Sequence, residues 1–148
     1  ANNTGTNNIA IGVSAGQLNT TGGSNTIIGQ NAAVFLTSGS SNTIIGQAAG
    51  AEVRGGSGNT FIGQTSGYNT SGSNNTFIGA YRGIGNENGV IALSDGGQNL
   101  RAIYNSGWVF TGSVDIQNTL TASLAQGFTY VGDANGRTIA VSTSSFVS

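Results

Sequence analysis

Cysteine, methionine, histidine, proline and lysine are all absent from this chain of 148 residues. Without cysteine there is no disulfide and no thiol chemistry, and without histidine the usual nucleophile–base arrangements of hydrolases cannot form. Charged residues make up 6% of the chain and the net charge is −1, so nothing in it attracts nucleic acid or an anionic membrane. No apolar run approaches the ~20 residues of a membrane-spanning helix.

A short motif, Asn-x-x-Ile-Gly, recurs along the first half of the chain. Its five copies end at glycines that lie 17, 17, 17 and 16 residues apart: Gly12, Gly29, Gly46, Gly63 and Gly79. A short and regular period indicates a solenoid, in which each repeat forms one coil stacked on the next. The sequence therefore predicts an all-β fold with a parallel β-roll, or β-solenoid, of about five 17-residue coils.

Each repeat carries one short apolar run that stops at the motif glycine. These runs are rich in β-branched and aromatic residues, which predicts strands at residues 9–11, 26–28, 43–45, 60–62 and 76–78. A small residue follows four positions after each glycine and allows a tight turn inside a narrow coil. Arg82 interrupts that pattern in the fifth repeat, where we expect the stack to end.

The two faces of these strands predict an oligomer. We assign the column of Ile11, Ile28, Ile45, Ile62 and Ile78, with Ile9 and the threonines that lie two residues before the other four, to the coil interior. The opposite face then points outward as a second apolar column: Ala10, Ile27, Ile44, Phe61 and Phe77. Strands that are apolar on both faces are buried on both faces, so we expect this second column to be an interface between identical chains, with a trimer favoured. The alternative is that it packs under polar loops of its own chain.

After Arg82 the period is lost, which divides the chain into a roll at residues 1–83 and a β-rich shaft or linker at 84–148. Short strands separated by glycine-containing turns predict a β-meander or an interwoven shaft, with strands at residues 90–93, 100–104 and 108–110. Alternating apolar residues at 114–124 favour an extended strand, with a helix at 120–126 as the alternative. Residues 128–131 and 138–141 flank the turn at 133–136 and predict a hairpin.

The repeats resemble those of a known class of proteins. The units at residues 23–33 and 58–67 resemble repeats of bacteriophage tail-fibre proteins and related tail-fibre-domain proteins. More loosely, they are similar to the head repeats of trimeric autotransporter adhesins, which are left-handed parallel β-rolls. Residues 88–96 and 127–133 are similar to shaft and linker regions of phage fibres. The resemblance implies a trimeric fibre, located on a virion or a cell surface, that attaches to a host cell.

The residues that carry chemistry are few and scattered. Five acids are spread along the chain: Glu52, Glu87, Asp95, Asp115 and Asp133. Because they are scattered, we expect no enzyme, no metal site and no cofactor. The alternative is a pair of acids that meets across a subunit interface and cleaves glycans. The ladder of Thr26, Thr43, Thr60 and Thr76 resembles that of ice-binding solenoids, but its assignment to the interior disfavours ice binding. Tyr68 and Tyr81 are the candidate receptor contacts, since a surface ring can stack on a sugar.

Together these observations predict a structural and adhesive fibre segment. Its expected partners are identical chains, neighbouring fibre or tail components, and a cell-surface glycan or protein. A bacterial surface adhesin or an extracellular filament subunit is the alternative. The start at Ala1 fits a processed piece as well as a fragment.

Overall fold

A computed structural model of the chain describes residues 4–111, 128–132 and 138–142. Within these ranges every regular element is a β-strand. Two compact units are present, residues 1–113 and residues 114–148. The first unit continues for about thirty residues beyond the boundary expected after residue 83.

The first unit is a β-solenoid, as the 17-residue period predicts. Its parallel strands stack in sequence order with no crossover: β1 (Ile9–Ile11), β2 (Thr26–Ile28), β3 (Thr43–Ile45), β4 (Thr60–Ile62) and β5 (Thr76–Ile78). Equivalent residues of successive repeats lie side by side, so that Ala10 pairs with Ile27, Ile27 with Ile44, and Ile44 with Phe61. The repeat period is thus the length of one complete coil.

The stack does not end at Arg82. Strand β6 (Ile91–Ser94) pairs with β5 in parallel, and Ile91, Ala92 and Leu93 continue the three columns of the sheet. Strands β7 (Leu100–Tyr104) and β8 (Trp108–Phe110) then complete an eight-stranded sheet in antiparallel order. The predicted meander is confirmed, but it is built directly onto the solenoid sheet.

The second unit is described through one hairpin. Strand β9 (Phe128–Gly132) pairs antiparallel with β10 (Thr138–Ser142), which confirms the predicted hairpin strands. The turn expected at 133–136 and the strand or helix expected at 114–124 lie outside the described residues.

The motif asparagine forms a buried hydrogen-bonded ladder through the solenoid. The Oδ1 of Asn25 accepts from the backbone N–H of Asn42 at 3.0 Å, and the Oδ1 of Asn42 accepts from that of Asn59 at 2.9 Å. The Nδ2 of Asn42 donates to the backbone O of Gly56 at 2.9 Å. Each asparagine therefore satisfies buried backbone groups of two different coils, which explains its place in the motif.

The motif glycine is required by close stacking of the coils. Gly29 has φ 137°, in the region that glycine favours. A Cβ on Gly29 would lie 2.4 Å from the carbonyl oxygen of Gly46, and a Cβ on Gly46 would lie 2.3 Å from that of Gly63. Because those neighbours are backbone atoms, they cannot move aside without opening the sheet.

Removing one rung of the ladder should destabilise the whole solenoid. Asn42→Ala leaves the N–H of Asn59 and the carbonyl of Gly56 without their partner in a buried site, at ~1–3 kcal/mol for each group. We expect the free energy of unfolding to fall by ~2–6 kcal/mol on that basis. Chemical denaturation followed by far-ultraviolet circular dichroism measures it. Asn69→Ala, at an exposed asparagine outside the ladder, is the matched control and should change little.

Candidate functional site

The interior of the solenoid is the column that the sequence analysis placed outside. Ile27, Ile44, Phe61 and Phe77 are 0–1% exposed and form the core of a single chain. The rings of Phe61 and Phe77 lie 5.0 Å apart between centroids, and Tyr81 packs edge-on against Phe77 at 4.8 Å. These four buried residues cannot form an interface, and of the five predicted interface residues only Ala10, in the end coil, is exposed.

The physical reason for this reversal is the content of the two columns. The interior column is entirely apolar, whereas the opposite face of the strands carries a column of threonines beside its column of isoleucines. The threonine hydroxyls would need hydrogen-bond partners inside a narrow apolar coil. A second buried column lies seven residues after each of the first four motif glycines: Asn19, Leu36, Val53 and Thr70. Gly67 accommodates the ring of Phe61, since a Cβ there would lie 2.5 Å from it.

The outward face of strands β1 to β6 is uncharged and substantially apolar. It consists of two columns in register, which we call the Thr–Ile face: Ile9, Thr26, Thr43, Thr60, Thr76 and Ile91 in one, and Ile11, Ile28, Ile45, Ile62, Ile78 and Leu93 in the other. Ile11 is 58% exposed, Ile62 37% and Leu93 41%, while the threonines are half-buried. A contiguous apolar stripe on six strands is unusual for a surface that faces only water.

The two tyrosines proposed as receptor contacts differ in their surroundings. Tyr81 is half-buried against Phe77, and its hydroxyl donates to the carboxylate of Glu87 at 2.8 Å. Burial, and then the hydrogen bond to Glu87, raise the pKa of the Tyr81 hydroxyl well above its usual range. Tyr68 lies under the Arg82 guanidinium, which sits 4.2 Å from the ring centroid in a cation–π contact. Tyr81 thus packs against the solenoid core, while Tyr68 is half-buried beside Arg82.

The acids of the first unit are each held by different partners. Glu52 lies 3.8 Å from Arg54, and Asp95 lies 2.6 Å from Arg101. Glu87 accepts hydrogen bonds from Tyr81 and Thr70. Asp115 and Asp133 lie outside the described residues. Among residues 4–111 and the two hairpin strands, no group of three or more His, Cys, Asp or Glu side chains gathers as a metal site.

The turn between β6 and β7 is closed by Asp95. Its Oδ1 accepts from the backbone N–H groups of Gly97 and Asn99 at 2.9 and 3.0 Å. The side chain of Asn99, and next that of Arg101, lower the pKa of Asp95 to about 2.

This turn should loosen in acid. Because the pKa of Asp95 is depressed in the folded protein, its stabilising contribution is complete above the ordinary value of 3.8 and is lost as the pH falls through about 2. The amide chemical shifts of Gly97 and Asn99, followed by nuclear magnetic resonance, should titrate in that range. In Asp95→Asn the same amides should show no such titration. A titration near 3.8 in the original protein would contradict the depressed pKa.

Comparison with protein-family models, with curated proteins and with solved structures finds no match to this chain. The resemblance to fibre repeats accordingly rests on the repeat motif alone. In the described part of the chain, no helix is long and apolar enough to span a membrane.

Proposed function

We propose that this chain is a structural fibre segment that assembles with identical copies through the Thr–Ile face, with three chains around an axis as the favoured arrangement. The observation that carries the proposal is an outward isoleucine column on all five repeat strands, continued by Leu93, in which Ile11, Ile62 and Ile78 are exposed and Ile28 and Ile45 are half-buried. Burying half-exposed isoleucines contributes ~25 cal/mol for each Å² removed from water. The five isoleucines and Leu93 in one column therefore supply a substantial driving force for association.

Identical chains are the partners that this face fits best. The two columns contain no charged residue, so copies do not repel one another and no charged partner is selected. The coils rise by about 4.8 Å each, and only another copy is certain to present ridges at the same spacing. Rotational symmetry brings equivalent patches together without leaving an open end.

The solenoid architecture suits a mechanical role. Six parallel strands span about 24 Å along the coil axis at the usual strand spacing. The chain stabilises this rod through backbone pairing and the asparagine ladder, and it presents turns on the outside. We propose that the segment extends and presents these turns for attachment, on a phage tail fibre or, as the alternative, on a bacterial surface adhesin or extracellular filament.

Single-cysteine variants test the assembly directly, because the chain has no cysteine of its own. Thr43→Cys places one thiol at the middle of the Thr–Ile face, and equivalent thiols then meet near the axis. Mild oxidation should convert most of the protein to covalent dimers, since at most two of three thiols can pair. Ser38→Cys, at an exposed turn residue, is the matched control. Equal cross-linking of both variants would contradict the proposed interface.

Ice binding is a second candidate that the structure favours more than the sequence did. Thr26, Thr43, Thr60 and Thr76 lie on the outward face, and their hydroxyls form a regular ladder beside the isoleucine column. The two functions need the same surface, so they exclude each other. Thermal hysteresis and ice recrystallisation assays decide between them: a monomer that slows ice growth, and loses this activity in Thr43→Val, supports ice binding and contradicts assembly.

A further inference from the structure

A pocket of about 480 Å³ lies in the first unit, between the connection that leads into β6 and the turn that joins β7 to β8. Small-molecule sites usually measure ~300–1,000 Å³. Six residues line it: Ile84, Asn86, Glu87, Asn88, Val90 and Asn105. None of them belongs to the two columns of the Thr–Ile face, so the pocket is a separate feature of the surface.

Glu87 is fixed in this pocket by the solenoid core. One carboxylate oxygen accepts from the Tyr81 hydroxyl at 2.8 Å and the other from the Thr70 hydroxyl at 3.0 Å. The backbone oxygen of Glu87 accepts from Nδ2 of Asn75, the last rung of the ladder, at 2.7 Å. In the described part of the chain, no arginine forms an ion pair with this carboxylate. It therefore presents negative charge in a rigid position, with lone pairs left to accept further hydrogen bonds.

The other polar groups of the pocket are carboxamides. Asn88 is oriented by two bonds: its Oδ1 accepts from the N–H of Ser73 at 2.9 Å, and its Nδ2 donates to the carbonyl of Asn86 at 3.0 Å. The side chains of Asn86 and Asn105 are exposed, and each offers donors as well as an acceptor. Ile84 is 86% exposed and adds apolar surface at the rim, while Val90 is buried at the base.

We propose that this pocket binds a neutral carbohydrate. Sugar hydroxyls donate and accept at once, which matches one fixed carboxylate acceptor beside three carboxamides. The C–H surface of a sugar ring suits the aliphatic side chain of Ile84. The charge of Glu87 and the lack of any cation in the lining disfavour anionic sugars. A metal ion is a poor occupant, because the lining supplies a single carboxylate and no second acidic ligand.

Ligand-observed saturation-transfer nuclear magnetic resonance tests the proposal on the full chain. The probes are methyl α-D-glucopyranoside, methyl α-D-galactopyranoside, methyl α-D-mannopyranoside and N-acetylglucosamine, with N-acetylneuraminic acid as the anionic comparison, all in the presence of a chelator. We expect transfer to at least one neutral probe and none to the anionic one. Asn105→Ala should weaken binding about tenfold and Glu87→Gln about tenfold or more. Asn69→Ala, an exposed asparagine outside the pocket, should bind as the original protein does.

The outcome is independent of the proposed assembly. A variant that cannot assemble, such as Ile62→Asp, should bind the same sugar, since Ile62 does not line the pocket. Absence of transfer to every neutral probe would overturn the inference, and so would unchanged binding in both Asn105→Ala and Glu87→Gln. Binding of the anionic sugar with equal strength would overturn the chemical assignment.

Discussion

Replacing Ile62 by aspartate is expected to convert the assembled protein into a folded monomer. Ile62 lies in the isoleucine column of the Thr–Ile face and is 37% exposed in a single chain. In the assembly, equivalent carboxylates would be brought together in an apolar contact, and desolvating each costs several kcal/mol. A loss of ~4 kcal/mol weakens association about a thousandfold. Sedimentation equilibrium measures the change in mass.

The control for this variant is Val13→Asp. Val13 is 71% exposed but follows β1 and belongs to neither column of the face, so the same substitution should leave assembly intact. Both variants should keep the far-ultraviolet circular dichroism of the original protein, because both positions are open to water in the single chain. Dissociation by both variants alike would mean that added charge, and not the Thr–Ile face, controls association.

The second large effect is expected at Phe61, next to Ile62, and it concerns the stability of the fold and not assembly. Phe61→Ala should destabilise the fold itself by ~3–5 kcal/mol, since it removes a fully buried ring. That ring contacts Phe77 and fills the space above Gly67, so no small movement can close the cavity. The total free energy of unfolding of a domain is ~5–15 kcal/mol, so this loss is a large part of it. Denaturant unfolding of the two proteins under identical conditions measures it.

Phe35→Ala is the matched control for the core variant. Phe35 is half-buried in a turn beneath Arg54 and lies outside the buried core cluster. The same loss of a ring should therefore cost clearly less than at Phe61. A core role for Phe61 would be contradicted if Phe61→Ala unfolded at the same denaturant concentration as the original protein. Phe61 would then have to lie on the outer surface of the coil, as predicted from the sequence.

The repeat itself could be predicted from the sequence because it is enforced by backbone stacking. A side chain at the motif glycine would clash with the backbone of the next coil, so glycine is required there. The motif asparagine must lie at a fixed distance from that glycine, because it hydrogen-bonds buried backbone groups of two coils. Both constraints act at the same place in every coil, so they appear as a period. The strands between them then follow from their β-branched residues.

The alternation of side chains along a strand could not show which face points into the coil. It separates the two faces but does not identify the interior one. Thr43 and Ile45 form a mixed pair and Ile44 belongs to a purely apolar column, and that difference in polarity was the available signal. The structure gives an independent check: Asn42 is buried, and because residues two apart on a strand share a face, Ile44 points inward as well. The uniformity of the isoleucines from Ile11 to Ile78 favours the opposite assignment and is the misleading feature of the sequence.

The pocket and the sixth parallel strand depend on residues that the repeat does not mark. Val90 takes the place of the motif asparagine before β6, and its N–H donates to Oδ1 of Asn75 at 2.9 Å. The ladder can thus continue by one more strand without another asparagine. Glu87 follows Thr70 by 17 residues, which is one repeat period, so the period places these two residues side by side. The contact of Glu87 with Tyr81 lies within the irregular connection, and no period in the sequence indicates it.

The mass of the original protein in solution at low micromolar concentration is the most direct measurement of the proposed interface. Light scattering coupled to size-exclusion chromatography should give the mass of two or more chains, and three times the single-chain mass if the favoured arrangement is right. A monodisperse particle with the mass of one chain would mean that the isoleucines between Ile11 and Ile78 stand in water, and it would contradict assembly through the Thr–Ile face.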